Sequence, residues 1–112
     1  MNIDEERKKY AELLKESIEI VLKKLGGKVE KISVFGSYSK RKDLFTDLDI
    51  LIIMETDKPF LERTKEIYSL LALPVDADIL CYTPEEFEKL KSRPFFKEIL
   101  KGALVLYEKG SN

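Results

Sequence analysis

Two stretches decide the fold: Ile32-Ser33-Val34-Phe35-Gly36-Ser37, and further along the chain Asp47-Leu48-Asp49-Ile50-Leu51-Ile52-Ile53-Met54. Each contains a short apolar run of the strand type. The first ends in a permissive turn, where Gly36 lets a phosphate approach the main chain and Ser37 adds a hydroxyl and an N–H group. The second begins with paired carboxylates, which are ligands that hard divalent cations prefer. Together they predict a phosphate-holding turn beside a metal-holding pair.

A third stretch, Asp76-Ala77-Asp78-Ile79-Leu80, repeats the pattern of two aspartates leading into an apolar run. Side chains alternate along a strand, so the two members of each aspartate pair share a face. If the strands are neighbours, three or four carboxylates converge and raise one another's pKa. A pair of divalent cations would relieve that repulsion, and such a pair suits in-line attack on phosphorus. A single Asp-x-Asp is more often a solvated strand end, so the inference depends on the repeat.

The segment after Gly36 is basic but is not a Walker A loop, because it lacks a second glycine followed by Lys and Ser or Thr. Lys40, Arg41 and Lys42 would lie close to a triphosphate held at the turn. Such a run is also typical of a solvated surface, so both interpretations stay open for these side chains.

The amino-acid composition excludes several kinds of catalytic and metal site. The chain has 112 residues, which we expect to form one domain spanning residues 1–112. There is no histidine and one cysteine, which excludes a Cys/His zinc site and histidine-dependent catalytic triads. Cys81 follows an apolar run and is predicted to be a core residue. The net charge of -1 disfavours a nucleic-acid partner, and the lack of a leader or long apolar stretch predicts a cytoplasmic protein without membrane contact.

The periodicity predicts alternating helices and strands. The expected fold class is α+β, or mixed α/β, with a mixed central sheet of about four strands covered by helices. The predicted helices span 4–25, about 59–71, 84–91 and 94–101, and a short helix or turn is expected over 37–42. Asp57 or Thr56 is the possible cap of the second helix, and Thr83-Pro84-Glu85-Glu86 matches a capping box that opens the third. The predicted strands span 29–35, 47–54, 75–82 and 103–107.

At these residues the chain resembles the minimal nucleotidyltransferases of the DNA polymerase β superfamily. Val34-Phe35-Gly36-Ser37 is similar to the family's Gly-Ser turn, and Thr46-Asp47-Leu48-Asp49-Ile50 resembles its Asp-x-Asp strand. Val75-Asp76-Ala77-Asp78-Ile79-Leu80 resembles the strand that carries the third acid. The resemblance covers nearly the whole chain. It departs from the family in a nine-residue spacer before Asp47, where ten is usual, and in Ser39-Lys40-Arg41 where Ala-Arg-Gly is usual.

The resemblance implies a nucleotidyltransferase, or polymerase β palm-like, fold and a two-metal mechanism. Asp47, Asp49 and Asp78 would be catalytic and would ligate two Mg²⁺ ions, for which Mn²⁺ could substitute. Asp76 is the alternative third acid. The nucleotide phosphates would contact Gly36, Ser37, Lys40 and Arg41.

The implied reaction moves a nucleoside monophosphate from an NTP, with ATP as the expected donor, to a hydroxyl acceptor and releases pyrophosphate. The implied partner is a small helical protein of the HEPN type, which could itself be the acceptor. A homo-oligomer is a further expectation. The alternative is an antitoxin-like binding module that pairs with such a helical protein and has little or no catalysis.

Overall fold

The computed structural model describes residues 3–36 and 48–110, and within them the chain alternates helices and strands. A long helix comes first and a short strand comes last. In chain order the elements are α1 (Ile3–Leu25), β1 (Lys31–Phe35), β2 (Leu48–Ile53), α2 (Phe60–Leu71), β3 (Ala77–Tyr82), α3 (Pro84–Leu90), α4 (Pro94–Lys101) and β4 (Leu104–Glu108).

The four strands form one mixed sheet in the order β3-β2-β1-β4. β1 is antiparallel to both of its neighbours, whereas β2 and β3 are parallel. A parallel pair needs a crossover connection, and α2 supplies it. The predicted mixed sheet covered by helices is therefore confirmed. The start of β2 and the start of β3 consequently lie at the same end of the sheet, next to the end of β1.

β2 is the most deeply buried strand. All of its residues except Asp49 are buried, as expected of a strand covered on both faces. On one face, α1 and α2 cover the sheet through a core that includes Leu14, Ile50 and Ile67. Cys81 joins that core and is fully buried, as predicted, and burial raises the pKa of its thiol to about 11. This thiol is therefore a packing group, because a reactive cysteine needs a lowered pKa.

Of the two helix caps predicted from the sequence, the structure confirms one and contradicts the other. The capping box predicted at Thr83 is present: the Glu86 N–H donates to the Thr83 hydroxyl, and the Thr83 N–H donates to the Glu86 carboxylate. The cap predicted for α2 at Thr56 or Asp57 is wrong. Pro59 occupies the N-cap position without a side-chain cap bond, and the Thr56 hydroxyl instead accepts a hydrogen bond from the Lys58 N–H.

The strands β1 and β3 each begin two residues later than predicted, at Lys31 and Ala77. The start predicted for β2, at Asp47, lies outside the described residues. Sheet-like bonding continues slightly beyond these limits, because the Glu30 N–H donates to the Ile53 carbonyl over 2.8 Å. In the described ranges, no helix is long and apolar enough to cross a bilayer.

Candidate active site

Two of the predicted acids lie side by side at the end of the sheet where β2 and β3 begin. In the parallel register of these strands, Asp49 is the partner of Asp78. Neighbouring strands are about 4.8 Å apart, so the two carboxylates start from adjacent backbone positions. On the other side of β2, Asp49 is the partner of Phe35, the last residue of β1. The register therefore brings together the second strand's aspartate, the third strand's aspartate and the turn that follows β1. We call this region the acid end of the sheet.

Gly36 is close to the carboxylate of Asp49. Its φ of +71° lies in the left-handed region that favours glycine. A Cβ atom built on Gly36 would overlap Oδ2 of Asp49, so a side chain at this position would collide with the carboxylate. The predicted turn glycine thus serves two purposes: it turns the chain after β1, and it leaves the space that the Asp49 carboxylate occupies. Sequence reasoning identified the first purpose but not the second.

Asp76 and Asp78 occupy different surroundings although they are two residues apart. Asp76 precedes β3, and its carbonyl accepts a hydrogen bond of 3.0 Å from the Leu48 N–H. Its side chain borders a cavity between α2 and β3, whereas Asp78 lies within the strand opposite Asp49. Both aspartates are exposed, and Asp49 is partly buried. The register therefore places Asp78 opposite Asp49, whereas Asp76 lies two residues earlier, before the strand begins.

Several predicted site residues fall outside the described ranges. Asp47, Ser37, Lys40 and Arg41 belong to this group, together with the short helix or turn expected over 37–42. Asp47 directly precedes Leu48, the first residue of β2. Among the residues that are described, no three acidic or cysteine side chains are grouped so that they could hold a metal ion.

The donor chemistry at the acid end is that of a hard cation site. Carboxylate oxygens are the ligands that Mg²⁺ and Mn²⁺ prefer. Within the described part of the chain, no ion pair involves Asp76 or Asp78; the ion pairs found there join other residues. Asp49 and Asp78 place two carboxylates on adjacent strands, where like charges are destabilising.

The opposite end of the sheet holds a charge cluster that sequence reasoning missed. The guanidinium of Arg63 is 7% exposed and donates to the Glu86 carboxylate over 2.6 Å. It also donates to the Lys58 carbonyl and to the Cys81 carbonyl. This arginine bond is the main reason that the pKa of Glu86 is lowered. A signal existed, because Arg63, Ile67 and Leu71 recur at four-residue spacing along one face of α2.

The sequence profile of the nucleotidyltransferase domain family matches residues 14–107. Among solved structures, the chain is similar to a Sulfolobus solfataricus protein described as a nucleotidyltransferase, with a TM-score of 0.57 and 18% identity over 94% of this chain and 86% of that one.

It is also similar to a chain in the MntA-HpeT toxin-antitoxin complex, with a TM-score of 0.52 and 21% identity over 86% of this chain and 73% of the other. A chain in a toxin-antitoxin complex with AMP-PNP gives a TM-score of 0.51 and 20% identity, covering 85% and 73%. At these identities, the likenesses show the fold. No curated protein sequence matches this chain significantly.

Proposed function

Because the chain belongs to the nucleotidyltransferase domain family, we propose that it transfers a nucleoside monophosphate from an NTP to a hydroxyl acceptor. The observation that carries this proposal is the pairing of Asp49 with Asp78 on adjacent parallel strands, beside the glycine turn at Gly36. Nucleotidyl transfer needs a place for phosphates next to a place for cations, and the acid end offers both kinds of group. We take ATP as the donor.

The reaction forms a bond between the acceptor oxygen and the α-phosphorus. It breaks the bond from the α-phosphorus to the oxygen that bridges to the β-phosphate, and pyrophosphate leaves. The acceptor hydroxyl loses its proton, and Asp78 is the proposed base because it lies on the outer strand next to Asp49. On the other side of Asp49, the backbone at Gly36 and the neighbouring Ser37, Lys40 and Arg41 are the proposed phosphate contacts.

The residues present fit a pair of divalent cations. Asp47, Asp49 and Asp78 supply only carboxylate oxygens, and Gly36 leaves open the space that the Asp49 carboxylate needs. We propose Mg²⁺, with Mn²⁺ as a substitute. When bound, the cations would neutralise the triphosphate charge and assist deprotonation of the acceptor hydroxyl.

A second candidate function is that of an antitoxin-like module that binds a helical partner of the HEPN type with little or no catalysis. It is favoured by the similar folds found in toxin-antitoxin complexes, one of which contains AMP-PNP. Retained carboxylates at both Asp49 and Asp78 favour catalysis over binding alone. The two functions are compatible if the bound partner is itself the acceptor.

The test is to incubate the protein with each α-labelled NTP and Mg²⁺ or Mn²⁺, with and without a co-purified partner. We expect label transfer by the wild type and its loss in the double variant Asp47→Asn, Asp49→Asn. The matched control is Asp57→Asn, Glu98→Gln, which also neutralises two carboxylates but at exposed positions outside the acid end. The catalytic proposal fails if no NTP is transferred with the partner present, or if the control variant loses as much activity as the acid-end variant.

A further inference from the structure

The hydroxyl group of Tyr68 holds the main chain of β3 on both sides of Asp78. It donates a hydrogen bond to the Ala77 carbonyl over 2.8 Å and accepts one from the Ile79 N–H over 3.0 Å. These two partners are the residues immediately before and after Asp78, the proposed base. One side chain of α2 therefore bridges the backbone that carries this carboxylate. We call this pair of hydrogen bonds the Tyr68 clamp.

The Tyr68 clamp lies on the outer edge of the sheet, where the described residues supply no further strand. On the inner side of β3, the Asp76 carbonyl accepts a hydrogen bond from the Leu48 N–H. Backbone groups of successive strand residues point to opposite sides, so the backbone groups of Asp78 also point inwards to β2. Those of Ala77 and Ile79 point outwards. The main chain at Asp78 is thus held by β2 on one side and by the clamp on the other.

Bonding to the main chain lets Tyr68 act although the Asp78 carboxylate lies on the other face of the sheet. α2 covers the face that carries Ile79 and Cys81, and Asp78 alternates to the opposite face. Backbone N–H and C=O groups point sideways from a strand, between the two faces. A bond to these groups therefore constrains the position of Asp78 without touching its carboxylate.

The clamp is attached to a firmly packed helix. Ile67, next to Tyr68 along α2, and Leu71, one turn further on, are both buried in the core. A general base must lie within about 2.6–3.2 Å of the atom whose proton it takes. Misplacement of such a group by about 1 Å can cost about 100-fold in rate, so support from a rigid element matters for an edge strand.

A simpler role for Tyr68 is to close the edge of β3 against a further strand. Arg63 makes a comparable contact further along the same edge, where it donates to the Cys81 carbonyl over 3.4 Å. Unpaired edges invite strand addition, so both side chains suit this protective role. Edge protection, however, predicts no change of transfer rate in a folded protein that remains monomeric. The two roles can therefore be separated by kinetics.

We propose that Tyr68 is a positioning residue for nucleotidyl transfer: it fixes the main chain on either side of Asp78, and so the place of the carboxylate that accepts the proton. The catalytic part of this inference rests on the proposed function. The clamp itself does not, because its hydrogen bonds can be measured in a protein that transfers nothing.

Hydrogen exchange of the Ile79 amide tests the clamp directly. Tyr68→Phe keeps the ring and removes the hydroxyl, and Tyr68 is 42% exposed, so the core is left intact. Tyr107→Phe is the matched control, because the Tyr107 hydroxyl makes no hydrogen bond to the described residues. We expect Ile79 exchange to become about two- to tenfold faster in Tyr68→Phe alone, the factor for one lost hydrogen bond. The Val21 amide of α1 should not change. An unchanged Ile79 rate overturns the clamp.

Transfer kinetics test the positioning role. With the co-purified partner as acceptor, we expect Tyr68→Phe to lower kcat about three- to tenfold, as for the loss of one net hydrogen bond. The KM for ATP should change less than twofold, because the nucleotide is held on the other side of Asp49. Tyr107→Phe should leave both quantities unchanged. An unchanged kcat in folded Tyr68→Phe contradicts the proposal, and so does a raised KM with an unchanged kcat, which would indicate a binding role.

A double-mutant cycle shows whether Tyr68 acts through Asp78. In the Asp78→Asn background the carboxylate to be positioned is gone, so Tyr68→Phe should cause no further loss of the residual transfer rate. A loss as large as in the wild-type background would mean that Tyr68 affects transfer by another route, and the positioning role would be wrong. A merely structural effect of the hydroxyl would be additive in this way.

The two proposals fail separately. If the wild type transfers no nucleotide, the proposed function fails, and the Ile79 amide still decides whether the clamp exists. If the wild type transfers and Tyr68→Phe transfers equally fast, the proposed function stands and the positioning role does not. Should Tyr68→Phe not fold, Tyr68→Gln takes its place in every assay, since glutamine suits an exposed helix position and is too short to reach the same two backbone groups.

Discussion

At one end of the sheet, where β2 and β3 begin, Asp49 and Asp78 are register partners. At the other end, where β3 finishes, Arg63 and Glu86 join α2 to α3 through an ion pair of 2.6 Å. Among the described residues, the first end places two carboxylates on adjacent strands, whereas the second pairs charges of opposite sign and also hydrogen-bonds the arginine to backbone carbonyls. Adjacent like charges do not stabilise a sheet, so we associate the first end with the proposed function. The paired end contributes to the fold itself. Variants at the two ends should therefore separate activity from stability.

The largest expected effect is on activity at the acid end. Asp78→Asn should lower nucleotidyl transfer by about 100- to 10,000-fold, the range for removing a general base. Its free energy of unfolding should stay the same or rise slightly, because one of two adjacent like charges is gone. Label transfer and urea unfolding measure the two quantities. Asp76→Asn should have the smaller effect on transfer; the reverse order would identify Asp76 as the third acid.

At the opposite end, Arg63→Met should lower the free energy of unfolding by about 2–4 kcal/mol, somewhat less than the roughly 3–5 kcal/mol for breaking a fully buried charge pair. The expected loss is smaller because Glu86 is 43% exposed, so water can solvate its carboxylate. The substitution also leaves the Lys58 and Cys81 carbonyls without their donor. Urea unfolding measures the change, and exposed Arg93→Met is the control. A loss no larger than that of the control would show that the pair is not structural.

A substitution at Gly36 should affect both stability and activity. The left-handed backbone angle of Gly36 bears on stability, and its lack of a side chain leaves room for the Asp49 carboxylate. Gly36→Ala should destabilise the protein by about 1–2 kcal/mol through the left-handed backbone alone. It should also displace the Asp49 carboxylate and lower transfer. Gly27→Ala is the matched control, with a φ of +83° and open space around an added Cβ. If both variants retain full activity, the closeness of Gly36 to Asp49 has no functional role.

The smallest expected effect is the pH dependence of the paired end. The arginine bond lowers the pKa of Glu86 in the folded protein, so its stabilisation is present above the ordinary glutamate pKa. It is lost as the pH falls below the ordinary glutamate pKa and through the lowered one. Since Glu86 is partly exposed, the contribution should be under about 1 kcal/mol. Urea unfolding of wild type and Glu86→Gln should therefore differ at neutral pH and converge in acid. A difference that persists at low pH would contradict this origin.

Much of the fold followed from local patterns. Helix α1 ends after Leu25 before the two glycines, and the Thr83–Glu86 capping box opens α3, as the sequence predicted. Apolar residues on both faces of β2 predict a strand that is covered on both sides. In the structure, every residue of β2 except Asp49 is buried. The cap of α2 was mispredicted because Thr56 and Asp57 both resemble cap residues, while the helix starts at Phe60 after Pro59. Local propensity is a weak guide where packing decides the helix start.

The sequence by itself determined which chemistry is available: carboxylates at Asp47, Asp49, Asp76 and Asp78, a turn glycine at Gly36, and no histidine. Residue identity is enough for that, because ligand type and turn chemistry are local properties. The tertiary structure decided which of these groups meet. Only strand order and register make Asp49 a partner of Asp78, bring Gly36 against Asp49 and leave Asp76 at the cavity beside α2. Register depends on the burial of whole strands, so spacing along the chain could not supply it.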